Sequence, residues 1–143
     1  GVSPYPERCP MAYAATVTVV ENGSLEQVIT ITETDGAAAS EVALVDSVTG
    51  RGVRAGSRLE RVICPAATGT LATRQPRLAV AAAATAGQIR YLATATAKAT
   101  VIDDALRDTF PISLGSSSLY HRSQPDAGAD NVMSTTYILS TRS

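Results

Sequence analysis

Tryptophan is absent from this 143-residue chain, and phenylalanine and histidine occur once each, at Phe110 and His121. Without large rings, the core must be filled by Ala, Val, Leu, Ile and the five tyrosines. Small side chains bury little area each, so modest stability as a monomer and a contribution from association are expected. With one histidine and two cysteines, Cys9 and Cys64, the chain is poorly supplied for a zinc site, which takes about four ligands. No apolar run approaches the roughly 18 residues of a membrane span; Leu78–Ala86 is short and mostly alanine. No charged-then-hydrophobic leader pattern opens the chain, and Gly1 fits either loss of an initiator Met or processing of a precursor. Net charge is −1 with the signs interspersed, so the basic patch of a free-standing nucleic-acid binder is missing. Arg51, Arg54, Arg58 and Arg61 form the one basic cluster, read as a solvated turn and strand face.

What the chain does contain is β-structure. Across Ala14–Thr34, Ala15, Val17 and Val19 and then Leu25, Gln27, Ile29 and Ile31 fall on one phase of a period of two, broken at Asn22-Gly23. This pattern predicts an antiparallel hairpin. Further strands are expected at Glu41–Asp46, at Arg58–Cys64 with Leu59 and Ile63 on one face, and at Thr68–Leu71, Arg77–Ala83 and Gln88–Ala93, with Thr94–Thr100 extending the last. Ser47–Gly56 reads as a long turn, and Asp103–Thr109 as a charged turn or one helical turn. Phe110–Leu114, with Pro111, reads as an edge strand that Ser116–His121 continues, and Arg122–Asn131 as an exposed loop. The last strand is Met133–Ser140, with Met133, Thr135, Tyr137 and Leu139 on one face. Many short strands with Gly and Pro turns predict an all-β domain over residues 11–143, an antiparallel sandwich or small barrel. Residues 1–10, with Pro4, Pro6 and Pro10, are kept out of a central strand and read as an extended arm. Tyr5, Pro6 and Arg8 in this arm are the candidate partner-binding residues, with Tyr5 as an aromatic anchor.

The residues show no catalytic set. His121 is the one candidate base for a Ser-His-Asp triad, and no nucleophile elbow accompanies it. Asp103, Asp104 and Asp108, and Asp126 and Asp130, lack calcium-loop spacing and read as solvated turns. Asn22-Gly23-Ser24 matches a glycosylation acceptor and is more simply a turn. Catalysis, a cofactor and a metal are therefore not expected. A Cys9–Cys64 bridge and two separate thiols both fit the sequence.

Met11–Thr34 and Ser134–Arg142 resemble the opening and close of small virion structural proteins of tailed bacteriophages, and the Ala/Thr-rich middle suits that group. The resemblance implies a β-sandwich or barrel that binds the capsid or tail lattice without catalysis, with capsid cement and decoration proteins foremost. It implies a homo-oligomer, with a trimer expected, a major capsid protein or other virion protein as partner, no direct contact with nucleic acid or membrane, and a virion assembled in the host cytoplasm. The alternatives are a tail or collar structural protein, and a secreted or cell-surface Ig-like pilin or adhesin module using Cys9–Cys64 as a staple. An enzyme or carbohydrate binder using His121 and the 122–131 loop is the third reading.

Overall fold

Three nine-residue strands, two of them consecutive and the third remote in the chain, lie side by side in one sheet. In a computed structural model, which describes residues 14–34, 41–67, 73–79, 89–93, 96–97, 99–106, 119–122 and 132–141, β1 (Ala14–Asn22) pairs antiparallel with β2 (Glu26–Thr34). On its other side, β2 pairs antiparallel with β11 (Val132–Ser140) along its whole length. The β1–β2 turn is the three residues Gly23–Leu25, with Gly23 at φ 77°, a left-handed conformation that glycine adopts without a Cβ penalty. β4 (Arg58–Cys64) and β9 (Ile102–Ala105) complete a five-stranded sheet in the order β1-β2-β11-β4-β9.

A second sheet has the order β3-β10-β6-β7, from β3 (Glu41–Ala43), β10 (Tyr120–Arg122), β6 (Arg77–Ala79) and β7 (Ile89–Tyr91). β5 (Thr73–Arg74) pairs with β8 (Thr96–Ala97). Every pairing is antiparallel, and no helix occurs among the described residues. The two larger sheets form a sandwich-like arrangement, not a closed barrel. Between them lie Val17, Val19, Ile29, Ile31, Leu59, Val62, Tyr137 and Leu139 from the first sheet and Leu44, Leu78 and Leu119 from the second sheet and its flanks, in one cluster. Within the strands, the inward phases read from β1, β2 and β11 are the buried ones; Leu25, expected on the same phase, lies in the turn before β2 and is exposed.

Six expectations change. His121 is not on an edge strand, because Tyr120–Arg122 pairs with β3 on one side and β6 on the other. Thr94–Thr100 does not extend the preceding strand: β7 ends at Tyr91, and Thr96–Ala97 is a separate strand that pairs with β5. Leu59 and Ile63 do not share a face. A β-bulge opposite Ile138/Leu139 slips the phase, so Leu59, Val62 and Cys64 are buried while Ile63 turns outward. Asp103 and Asp104 belong to the edge strand β9 and not to a turn, since inward Ile102 supplies burial and Arg61 pairs with Asp103. Arg122 is not in an exposed loop: it is buried at the end of β10, with Nη1 donating to Glu41 Oε2 at 2.7 Å. The third strand is shorter than Glu41–Asp46, because Asp46 leaves the ladder to cap a turn. The segments 68–72, 80–88, 107–118 and 123–131, with the Pro111 edge strand, lie outside the described residues, as do residues 1–13 and the arm–domain boundary.

The outer edge of β1 is covered at its middle. Asp46 Oδ2 accepts from Val19 N, and Ser47 Oγ from Val17 N, each at 2.8 Å, while Ser47 N donates to Val17 O. Asp46 Oδ1 also accepts from Val48 N and Thr49 N at 2.8 Å. These backbone amides hold the Asp46 carboxyl down from 3.8 to about 2. A depressed folded value means that the unfolded chain binds the proton first as pH falls. The contribution of Asp46 is therefore complete above 3.8 and is lost as pH falls to about 2. Asp46→Asn is expected to be less stable than wild type at neutral pH and to lack this part of the acid-induced loss; parallel urea melts from pH 7 to 2 check it, and curves that stay equally separated throughout would contradict it.

Candidate functional site

Strand phase places a carboxylate, an imidazole and a phenol in the interior. Gln27, Ile29, Ile31 and Glu33 alternate inward along β2, and Met133, Thr135, Tyr137 and Leu139 along β11. β10 of the facing sheet brings in His121. His121 Nε2 lies 2.9 Å from Glu33 Oε1 and 3.2 Å from Oε2, and Nδ1 lies 2.7 Å from the Tyr137 hydroxyl. The hydroxyl also lies 3.4 Å from the Arg77 carbonyl. His121, Glu33 and Tyr137 are 3%, 1% and 0% exposed. Against a Glu33 carboxylate, Nε2 carries the proton and donates it; in the neutral ring Nδ1 then accepts from the tyrosine O–H.

Carboxylate, imidazole and hydroxyl in that order is the arrangement by which an oriented base activates a nucleophile. Here the hydroxyl is sealed between two sheets. The adjoining cavity, lined by Glu33, Cys64, His121, Arg122 and Thr135 among others, has a volume of about 20 Å³, room for about one water. What the arrangement does in this conformation is mutual: each buried polar group satisfies another, and the bonds run from β2 and β11 across to β10. Cys64 is buried beside it, with Sγ 3.9 Å from Thr135 Oγ1; its pairing with Cys9 lies outside the described residues.

A second polar group anchors the 51–54 segment. Gln27 Nε2 donates to Glu21 Oε2 and to the Gly52 carbonyl, both at 2.9 Å, and Gln27 Oε1 accepts from Arg54 N at 3.0 Å. Glu21 also pairs with Arg54 and, at 3.7 Å, with Arg51. Within the basic cluster, Arg61 binds Asp103 through two hydrogen bonds of 2.6 and 3.0 Å. That contact lowers the Asp103 carboxyl and raises the Arg61 guanidinium from their ordinary values. On the outer side of the first sheet, a groove of about 260 Å³ is lined by Glu26, Glu60, Arg61, Ala105 and Ile138. No group of three metal-ligating side chains occurs among the described residues.

Of the residues singled out from sequence, His121 is the one placed in a fully buried polar constellation, while Arg51 and Arg54 join the Glu21–Gln27 group and Arg61 pairs with Asp103; the partners of His121 were not foreseen. The signal was available: extending the β2 alternation by one step puts Glu33 in the interior, where a carboxylate requires a partner. Asp103 and Asp104 are exposed on β9. Tyr5, Pro6, Arg8, Cys9, Asp108, Asp126 and Asp130 lie outside the described residues. Compared with known protein families, curated proteins and solved structures, the chain matches none.

Tyr137→Phe keeps the ring and removes only the hydroxyl, leaving His121 one bond short in the interior; a loss of about 1–3 kcal/mol is expected. A cycle of Tyr137→Phe, His121→Phe and the double variant should show a coupling of about 0.5–3 kcal/mol in urea melts. Strict additivity would show that the two side chains do not act together.

Proposed function

We propose that the protein is a non-catalytic structural protein of a tailed-bacteriophage virion, a capsid cement or decoration subunit that binds the major capsid protein and stabilises its lattice. The observation that carries this reading is where the phage-like segments fall. Met11–Thr34 and Ser134–Arg142 are remote in the chain, yet they supply β1, β2 and β11, which pair in register along the full ladder. The portions that resemble virion proteins thus form one continuous surface-bearing unit. The use of the reactive side chains supports the same reading. Glu33, His121 and Tyr137 bond to one another inside, and Asp46 and Gln27 hold loops. A protein built this way acts by presenting surface to neighbours in many copies.

Tyr5, Pro6 and Arg8 are carried forward from the sequence as partner contacts. Three prolines lower the entropy of the free segment, so ordering it on a partner costs less. Co-sedimentation with undecorated particles, in parallel with a thermal melt, tests the proposal. Wild type is expected to pellet with the particles. Deletion of residues 1–10 is expected to leave melting unchanged and weaken binding by roughly tenfold or more, about 1.4 kcal/mol. Absence of wild-type binding would remove the cement reading, and density confined to the tail or neck in electron micrographs would move the protein there.

A further inference from the structure

The β1–β2 turn carries chemistry that neither sheet uses. Asn22 ends β1 and is followed by Gly23, and both are exposed. An asparagine side-chain amide is open to attack by the backbone nitrogen of the next residue, which closes a five-membered ring. In most sequences the side chain of that next residue stands in the way. At Gly23 there is none, and a Cβ added there would meet nothing within 4 Å. The nitrogen is therefore approached through open space. Gly23 also sits at φ 77°, outside the ladder, where a glycine leaves the peptide free to rotate. The bonds that hold the turn use other groups. Arg54 Nη1 donates to the Ser24 carbonyl and Thr141 N to the Leu25 carbonyl, each at 2.8 Å. Gly23 N is not among their donors.

One contact opposes the reaction. Asn22 and Glu26 are paired across the end of the hairpin, and Asn22 Nδ2 donates to Glu26 Oε1. That bond draws the amide across toward β2, whereas the attack requires it to turn back along its own strand. The second asparagine of the chain, Asn131, precedes Val132, whose branched side chain shields its own nitrogen. Exposure, a bare neighbour and a single restraining bond thus come together at position 22 alone among the asparagines of the chain.

We propose that Asn22 is a site of spontaneous deamidation through a succinimide, with Glu26 as its restraint. Gly23 N gives up its proton and bonds to Asn22 Cγ; the Cγ–Nδ2 bond breaks, and ammonia leaves with that proton. Water then opens the ring on either side. Opening at Cγ leaves aspartate, and opening at the backbone carbonyl leaves isoaspartate, with one extra methylene in the main chain. The reaction needs only water. Both products place a new carboxylate at position 22, opposite Glu26 and next to Glu21. Like charges directly opposite one another disfavour a strand pair. The added methylene also displaces the Gly23–Leu25 turn from its contacts with Arg54 and Thr141. The conversion thus loosens the end of the hairpin. This inference goes beyond the virion reading and does not depend on it.

Peptide mapping by mass spectrometry of the folded full chain, incubated at mildly alkaline pH, tests it. The peptide containing residue 22 is expected to lose ammonia and gain water with time, as a mixture of aspartate and isoaspartate, while the Asn131 peptide lags. Glu26→Ala should convert about two- to twelvefold faster, the span of one side-chain hydrogen bond, with unchanged circular dichroism. Should that variant fold poorly, Glu26→Val removes the same acceptor with a strand-forming residue. Asn22→Gln, which must close a six-membered ring, should stay intact. The converted wild type should melt below the fresh protein. Asn22 left unconverted in the folded chain, aspartate as the sole product, or conversion unchanged or slowed in the folded Glu26 variants would overturn the proposal.

Discussion

A histidine held between a glutamate and a tyrosine is the contact on which the relation of the two sheets depends. Most of the core cluster is Val, Ile and Leu, whose burial is favourable but non-directional. Such a core favours stacked sheets without specifying how one sits on the other. The Glu33–His121–Tyr137 bonds are directional, short and shut off from water, so a slide of one sheet over the other breaks them. Leaving one of these buried groups without its hydrogen-bond partner costs about 1–3 kcal/mol. The contact spans 88 positions of sequence from Glu33 to His121. Folding must therefore bring the first hairpin and the later β10 together before the interior is satisfied.

The same logic governs the periphery. A nine-residue edge strand such as β1 invites uncontrolled pairing. Asp46 and Ser47 answer its central amides with side-chain oxygens, and the same Asp46 carboxylate closes the following turn. Gln27 and Glu21 fasten the next segment through Arg54. These polar side chains are thus committed to backbone and interlayer contacts.

Much of the fold was legible because long alternating strands carry their own phase. The hairpin of β1 and β2 and the inward set of β11 followed from Val, Ile and Thr at a period of two, and the limits of β4, though not its phase, were also legible. What was not legible came from contacts between distant segments. The β4 bulge depends on the register against Leu139 and Ile138, which no local pattern in Arg58–Cys64 reports. β9 looked like a turn because two adjacent aspartates disfavour a strand; the pairing with β4 and the Arg61–Asp103 contact outweigh that preference. His121 was visible as the sole imidazole, but its burial depends on Tyr120–Arg122 joining β3 and β6, and its role on Glu33 occupying an inward position.

The most direct test of the sheet-joining histidine is nitrogen and proton NMR of the His121 ring, which is the single imidazole in the chain. The expected result is a ring N–H that resists exchange with solvent, carries a through-space contact to the Tyr137 ring, and reports one hydrogen-bonded arrangement. Replacing Glu33 by Leu, which removes the acceptor, should abolish that protection while leaving the β1–β2 hairpin amides protected. A ring N–H that exchanges at the rate of free imidazole in the wild-type protein, with no contact to Tyr137, would contradict it.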